Sequence, residues 1–97
     1  MKNLEVLEEL WAVINERAEH PSPDSYVSSI LTHRKGIDKP LEKVGEEATE
    51  FILAVKNGEN DRTIEEGADL LFHFFLALRA AEIDIEDVLG ELAARRK

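Results

Sequence analysis

The chain has 97 residues, 21 of them acidic and 12 Lys or Arg, a formal net charge of −9, and no cysteine. That length sets one domain, 1–97, with a limited core if the chain stays alone, so oligomerisation would complete it. The charge argues against a nucleic-acid backbone or an anionic membrane as partner, and the absence of cysteine removes disulfides, thiolate nucleophiles and zinc–sulfur sites.

Helical periodicity dominates, and no stretch alternates as a strand would. Met1 to Glu9 carries three Glu and no apolar run, so it does not read as a signal peptide. Leu4, Leu7, Trp11, Ile14 and Ala18 form the apolar stripe of a first helix, which His20-Pro21-Ser22-Pro23 ends. Asp24 or Ser22 is the expected cap of a short second helix carrying Tyr26, Ile30 and Leu31. His33-Arg34-Lys35-Gly36 is a basic break. Pro40 suits the first turn of a third helix, with Asp38 its expected cap and Leu41, Val44, Ala48, Phe51, Ile52 and Val55 its stripe.

Asn57-Gly58-Glu59-Asn60 is a turn, with Gly58 fit for a left-handed helix end. A fourth helix is predicted from near Asp61 to about Ala81. From Leu70 to Leu78 it is apolar at every position but His73, so part of its perimeter is expected to face another subunit. Apolar runs such as Phe74–Leu78 are far too short to span a bilayer, and the expectation is a soluble, cytoplasmic protein. Asp84 caps a last helix with Ile85, Val88, Leu89 and Leu92, and Arg95-Arg96-Lys97 stands at its C-terminal end, where cations favour the helix dipole. The fold class is therefore all-α: a hairpin-based bundle of four to five helices, completed by dimerisation.

Acidic residues recur at i,i+3 in Glu5/Glu8, Glu16/Glu19, Glu47/Glu50, Glu66/Asp69 and Asp84/Asp87. About four such pairs are expected by chance at this acidity, so spacing alone carries no signal. The two central pairs differ in position. About a hairpin centred on Gly58, Glu50 stands level with Glu66, and Glu47 with Asp69. Both pairs adjoin apolar stripes, and Asp69 opens the all-apolar segment, where an unpaired carboxylate is expensive. Four convergent carboxylates repel unless something compensates. A hard cation does so, with Mg²⁺ the best fit and Mn²⁺ able to substitute, and such ions most often handle phosphate oxygens.

The remaining polar groups read more blandly. His73 lies one turn beyond Asp69 and is expected to be a core histidine satisfied by Asp69 or by a backbone carbonyl. Glu46 points about 100° away from Glu47 around the helix, toward the rim of the site or solvent, and is a marginal metal ligand. Lys35, Lys39 and Lys43 are candidate contacts for substrate phosphates that the metal leaves uncovered. Lys43 also has the spacing for an ordinary ion pair with Glu47. Gly67 beside Glu66 suggests close helix approach, and no glycine-rich phosphate loop is present.

Lys43-Val44-Gly45-Glu46-Glu47-Ala48-Thr49-Glu50, followed by Glu66-Gly67-Ala68-Asp69-Leu70-Leu71-Phe72-His73, resembles the phosphoribosyl-ATP pyrophosphatases of histidine biosynthesis. These belong to the all-α nucleotide pyrophosphohydrolases, whose shared motif is a Glu-x-x-Glu pair followed by a Glu-x-x-Asp pair. Leu7-Glu8-Glu9-Leu10, Ser25-Tyr26, Lys35-Gly36 and Asp84-Ile85-Glu86-Asp87-Val88 extend the likeness over nearly the whole chain. Val27 stands where the family usually has Thr, and Glu82 where Gly is common.

The resemblance implies Mg²⁺-dependent hydrolysis of phosphoribosyl-ATP to phosphoribosyl-AMP and pyrophosphate. Glu47, Glu50, Glu66 and Asp69 would be at once the metal ligands and the catalytic carboxylates. In some organisms of the family this domain is fused to a cyclohydrolase; 97 residues leave no room for one, so a monofunctional chain is expected. Two rivals share part of the pattern: a house-cleaning nucleoside triphosphate pyrophosphohydrolase with the same site, and a non-enzymatic helical oligomerisation module with a solvated acidic face.

Overall fold

A computed structural model describes residues 1–96; Lys97, the last of the C-terminal cations, lies outside the described residues. Five helices follow one another: α1 Glu5–Glu19, α2 Tyr26–Leu31, α3 Asp38–Lys56, α4 Asn60–Ala80 and α5 Ile85–Ala94. Among the described residues there is no strand. Among the same residues no helix is long and apolar enough to cross a membrane.

The ends of these helices follow local chemistry. Leu4 is the residue before α1, half-exposed, so the buried stripe begins at Leu7. The cap of α2 is Ser25 rather than Asp24 or Ser22: its Oγ accepts from the Ser28 amide at 3.2 Å. A cap must be the extended residue directly before the first turn, and Ser25 has that backbone conformation. Asp38 is the first residue of α3 rather than its cap, and still places an acid at the positive end of the helix. Asp84 caps α5 as expected, its Oδ1 accepting from the Glu86 amide at 2.9 Å.

The α3–α4 hairpin is the most extensive helix pairing in the molecule. Its turn is a Schellman motif. Gly58 takes φ +69°, its amide donates to Val55 O at 3.1 Å, and the Glu59 amide donates to Ala54 O at 3.1 Å. The end of α4 repeats the same geometry with a less suitable residue. Glu82 takes φ +59°, its amide donates to Arg79 O and the Ile83 amide to Leu78 O, both at 3.0 Å. A left-handed L-residue costs about 1–2 kcal/mol there, partly offset in the unfolded chain. Glu82→Gly is therefore expected to raise the thermal midpoint, by about 0.5–1 kcal/mol of stability, with activity unchanged; calorimetry on the two proteins is the check.

The core lies off the hairpin turn. Ile14 of α1, Val27 and Ile30 of α2, and Phe75 and Leu76 of α4 form it, flanked by Leu10, Trp11 and Phe72. Trp11 meets Phe75 edge to face, with centroids 5.7 Å apart. Much of the α3 stripe stays uncovered within one chain: Leu41, Ile52 and Val55 are each more than half exposed. The all-apolar segment of α4 splits likewise, with His73, Phe75 and Leu76 buried and Leu71 and Phe74 exposed. Gly67 faces the Phe51 ring, but a Cβ there would meet it only at 3.6 Å, an ordinary contact, so close approach does not require glycine.

Candidate metal centre

The Schellman turn fixes the register of the hairpin, and the register decides which acids meet. Oxygen atoms of Glu47, Glu66 and Asp69 lie within 4.8 Å of one another. Glu50 joins from the next turn of α3, since it and Glu47 both act on the Glu66 carboxyl. Both expected pairs thus face the same space between α3 and α4. The two inner residues are deeply placed, Glu47 being 7% and Glu66 3% exposed, while Glu50 and Asp69 form the open side.

Each inner carboxylate has one oxygen on a cation and one left over. Glu66 Oε1 is 2.8 Å from Arg62, and Glu47 Oε1 is 3.6 Å from Lys43. Glu66 Oε2 and Glu47 Oε2 are buried without a hydrogen-bond partner among the described residues. An orphaned buried carboxylate oxygen loses its hydration for nothing in return. Arg62 also reaches Glu65, at 3.6 Å, and Lys43 reaches Glu46, at 3.1 Å, so neither cation is devoted to the cluster. The donor set is all oxygen, under-neutralised, and open on one side. It fits a hard divalent cation that keeps coordination sites for water and phosphate.

Burial first, and then the adjoining Glu50 and Glu47 carboxyls, push the Glu66 carboxyl up to about 7, against the pull of Arg62. Its unfolded value is the ordinary 4.5, so between these values the folded state holds more protons than the unfolded one. The stability this contributes is full below about pH 4.5 and is lost as pH rises through about 7. In chelator, the thermal midpoint is expected to fall between pH 5 and pH 8. Glu66→Gln, which cannot titrate, should flatten that slope.

The other expected site residues are dispersed. Glu46 is exposed and its carboxylate is turned onto Lys43. Lys35 is taken up by Glu42, with Nζ 3.1 and 3.2 Å from its two oxygens, and this bond holds the Glu42 carboxyl below its usual range. Lys39 is half-buried and makes no ion pair among the described residues. Of the three lysines only Lys43 borders the carboxylates.

Two neighbours of the site lie outside the expected set. Arg62 is signalled locally, since it stands four residues before Glu66 on one helix face. Tyr26 is not: its hydroxyl lies 2.8 Å from His73 Nε2, across 47 residues of chain. His73 itself is a buried histidine held by a backbone carbonyl, with Nδ1 2.7 Å from Asp69 O.

Comparison with known proteins identifies the family of the chain. Residues 7–96 match the family profile of phosphoribosyl-ATP pyrophosphohydrolase. The phosphoribosyl-ATP pyrophosphatase of Methanoculleus marisnigri is 68% identical over 97 residues, the full length of both chains. That of Methanosphaerula palustris is 65% identical over 97 residues, covering 100% of this chain and 98% of its own. The more distant Methanosarcina acetivorans protein of the same name is 41% identical over 95 residues, covering 98% of this chain and 91% of its own. With a matching profile over nearly every residue, and full-length relatives under one name, the chain belongs to the phosphoribosyl-ATP pyrophosphohydrolase family.

Proposed function

We propose that this protein hydrolyses phosphoribosyl-ATP to phosphoribosyl-AMP and pyrophosphate, the second step of histidine biosynthesis, with Mg²⁺ held by Glu47, Glu50, Glu66 and Asp69. One observation carries the metal: Glu47 and Glu66, whose carboxylates converge with that of Asp69, each keep a buried oxygen without a partner among the described residues. The relatives' shared name supports the substrate.

When bound, the ion neutralises phosphate charge and lowers the pKa of a coordinated water. The chain's own groups supply the rest. Water adds at the α–β anhydride, the bridging bond breaks, pyrophosphate leaves, and one carboxylate of the four accepts the water's proton. Lys43 stands beside Glu47 and is placed to exchange Glu46 for a phosphate oxygen. Lys35 and Lys39 are more remote phosphate contacts, and Lys35 must first leave Glu42. Glu46 remains an outer, marginal ligand.

The chain is read as one pyrophosphohydrolase domain over 1–97, working in the cytoplasm as a homodimer. Two features support the dimer. The described residues include only seven buried apolar side chains, Pro40 among them. An open apolar groove of about 550 Å³ lies between α1, α4 and α5, lined by Leu7, Trp11, Leu71, Phe74, Ile85 and Leu89.

Pyrophosphate release from phosphoribosyl-ATP, measured against a panel of nucleoside triphosphates, tests the substrate. Phosphoribosyl-ATP is expected to be strongly preferred. Preference for the common triphosphates would assign the chain to the house-cleaning branch of the fold instead. In the same assay Mg²⁺ or Mn²⁺ should support turnover, and Ca²⁺ should support binding better than turnover, because its looser coordination does not hold water and phosphate in line. Full activity in excess chelator would remove the metal.

A further inference from the structure

Tyr26 is half-exposed, with its ring stacked on Phe72 at 6.0 Å and its hydroxyl bonded to His73. The direction of that bond is fixed by its neighbour. His73 Nδ1 faces the carbonyl oxygen of Asp69, which only accepts, so Nδ1 carries the ring proton. In the neutral ring Nε2 is then a bare acceptor, and the Tyr26 hydroxyl donates its proton to it. The phenol oxygen keeps its lone pairs and has no proton left to give.

This oxygen stands at the edge of the carboxylate site. The His73 ring links it to the Asp69 backbone through hydrogen bonds of 2.8 and 2.7 Å, and burial raises its pKa, with Lys43 pulling it down and Glu47, Glu46 and Asp69 pushing it up. An acceptor at that place repels phosphate oxygens, which are acceptors too. In a nucleotide whose phosphates occupy the carboxylate site, the hydrogen-bond donors next along the molecule are ribose hydroxyls.

We propose that the Tyr26 oxygen, oriented by the Asp69–His73–Tyr26 hydrogen-bond chain, accepts a hydrogen bond from a ribose hydroxyl adjoining the triphosphate and so selects ribo- over deoxyribonucleotides. This rests on the reading of the substrate given above. Tyr26 is a specificity residue rather than a member of the metal site, and His73 is the residue that positions it.

The test is a double-mutant cycle between protein and substrate hydroxyls. KM and kcat are measured for the wild type and Tyr26→Phe on phosphoribosyl-ATP and on its 2′-deoxy and 3′-deoxy counterparts, with thermal midpoints recorded for both proteins. The wild type is expected to lose about 5- to 10-fold in kcat/KM on one deoxy substrate, mainly through KM. Tyr26→Phe should show that loss on the parent and no further loss on that deoxy substrate. The proposal is overturned if Tyr26→Phe discriminates as the wild type does, or if the wild type does not discriminate at all. It is overturned equally if Tyr26→Phe lowers kcat to the same degree on every substrate, since the oxygen would then face water rather than ribose. A wild type inert toward phosphoribosyl-ATP itself would instead sink the substrate assignment, and this inference with it.

Discussion

Asp69→Asn and Glu50→Gln are expected to lower kcat by at least about 10²–10³-fold while leaving the protein folded. Each substitution keeps side-chain size and removes one charge from the open side of the cluster. Ground-state binding of phosphate needs less of the ion than the charge redistribution in the transition state does, so kcat should fall more than KM rises. In chelator the carboxylates repel, and Glu50 is among the groups pushing the Glu66 carboxyl up. The metal-free variants should therefore melt at the wild-type temperature or above it.

Mg²⁺ should separate the proteins in the opposite sense. A ligand bound only by the native state adds about 2.7 kcal/mol at a hundred times its Kd, and the variants should gain little of this. Glu5→Gln and Glu16→Gln serve as controls from solvated pairs, since both residues are exposed and Glu16 pairs with the adjacent Arg17. Stability curves with and without Mg²⁺, run beside the activity assay, check all four. Variants that kept both turnover and the Mg²⁺-dependent rise would dismiss the convergent carboxylates.

The second large effect concerns assembly. Leu71→Lys is expected to turn a micromolar dimer into a monomer with a lower thermal midpoint. Leu71 and Phe74 are 43% and 38% exposed on a helix that is otherwise apolar in this stretch, beside the groove bounded by α5. Burying such a side chain contributes about 1.5–3 kcal/mol, and a twofold interface buries each one twice. Removing one should thus weaken association by about 10²–10⁴-fold. Sedimentation equilibrium decides it. A wild type that is folded, monomeric and fully active would refute the dimer.

The hairpin was legible because its signals are local. Gly58 at the turn, Asp84 before α5 and the level placement of Glu47, Glu50, Glu66 and Asp69 all depend on spacing along one or two helices. The cap of α2 is Ser25, one residue past Asp24 and three past Ser22, because all three side chains are competent and the extended backbone at Ser25 decides between them. Periodicity found the apolar stripe on α3, but it does not say what covers a stripe. Leu41, Ile52 and Val55 are exposed in the single chain. The charge of Lys35 is visible in the sequence but its partner is not: Glu42 lies seven residues on, past the start of α3. The Tyr26–His73 bond joins two helices far apart in sequence and left no pattern to read. Glu82 stood out only as a departure from the family's glycine, and its left-handed backbone explains why glycine is common there.

Anomalous diffraction from a crystal grown with Mn²⁺ tests the central claim most directly. The expected result is a peak between α3 and α4, bounded by Glu47, Glu50, Glu66 and Asp69, with the two unpartnered oxygens of Glu47 and Glu66 turned toward it. Manganese bound elsewhere, with that space holding only water and Arg62 still on Glu66, would contradict it.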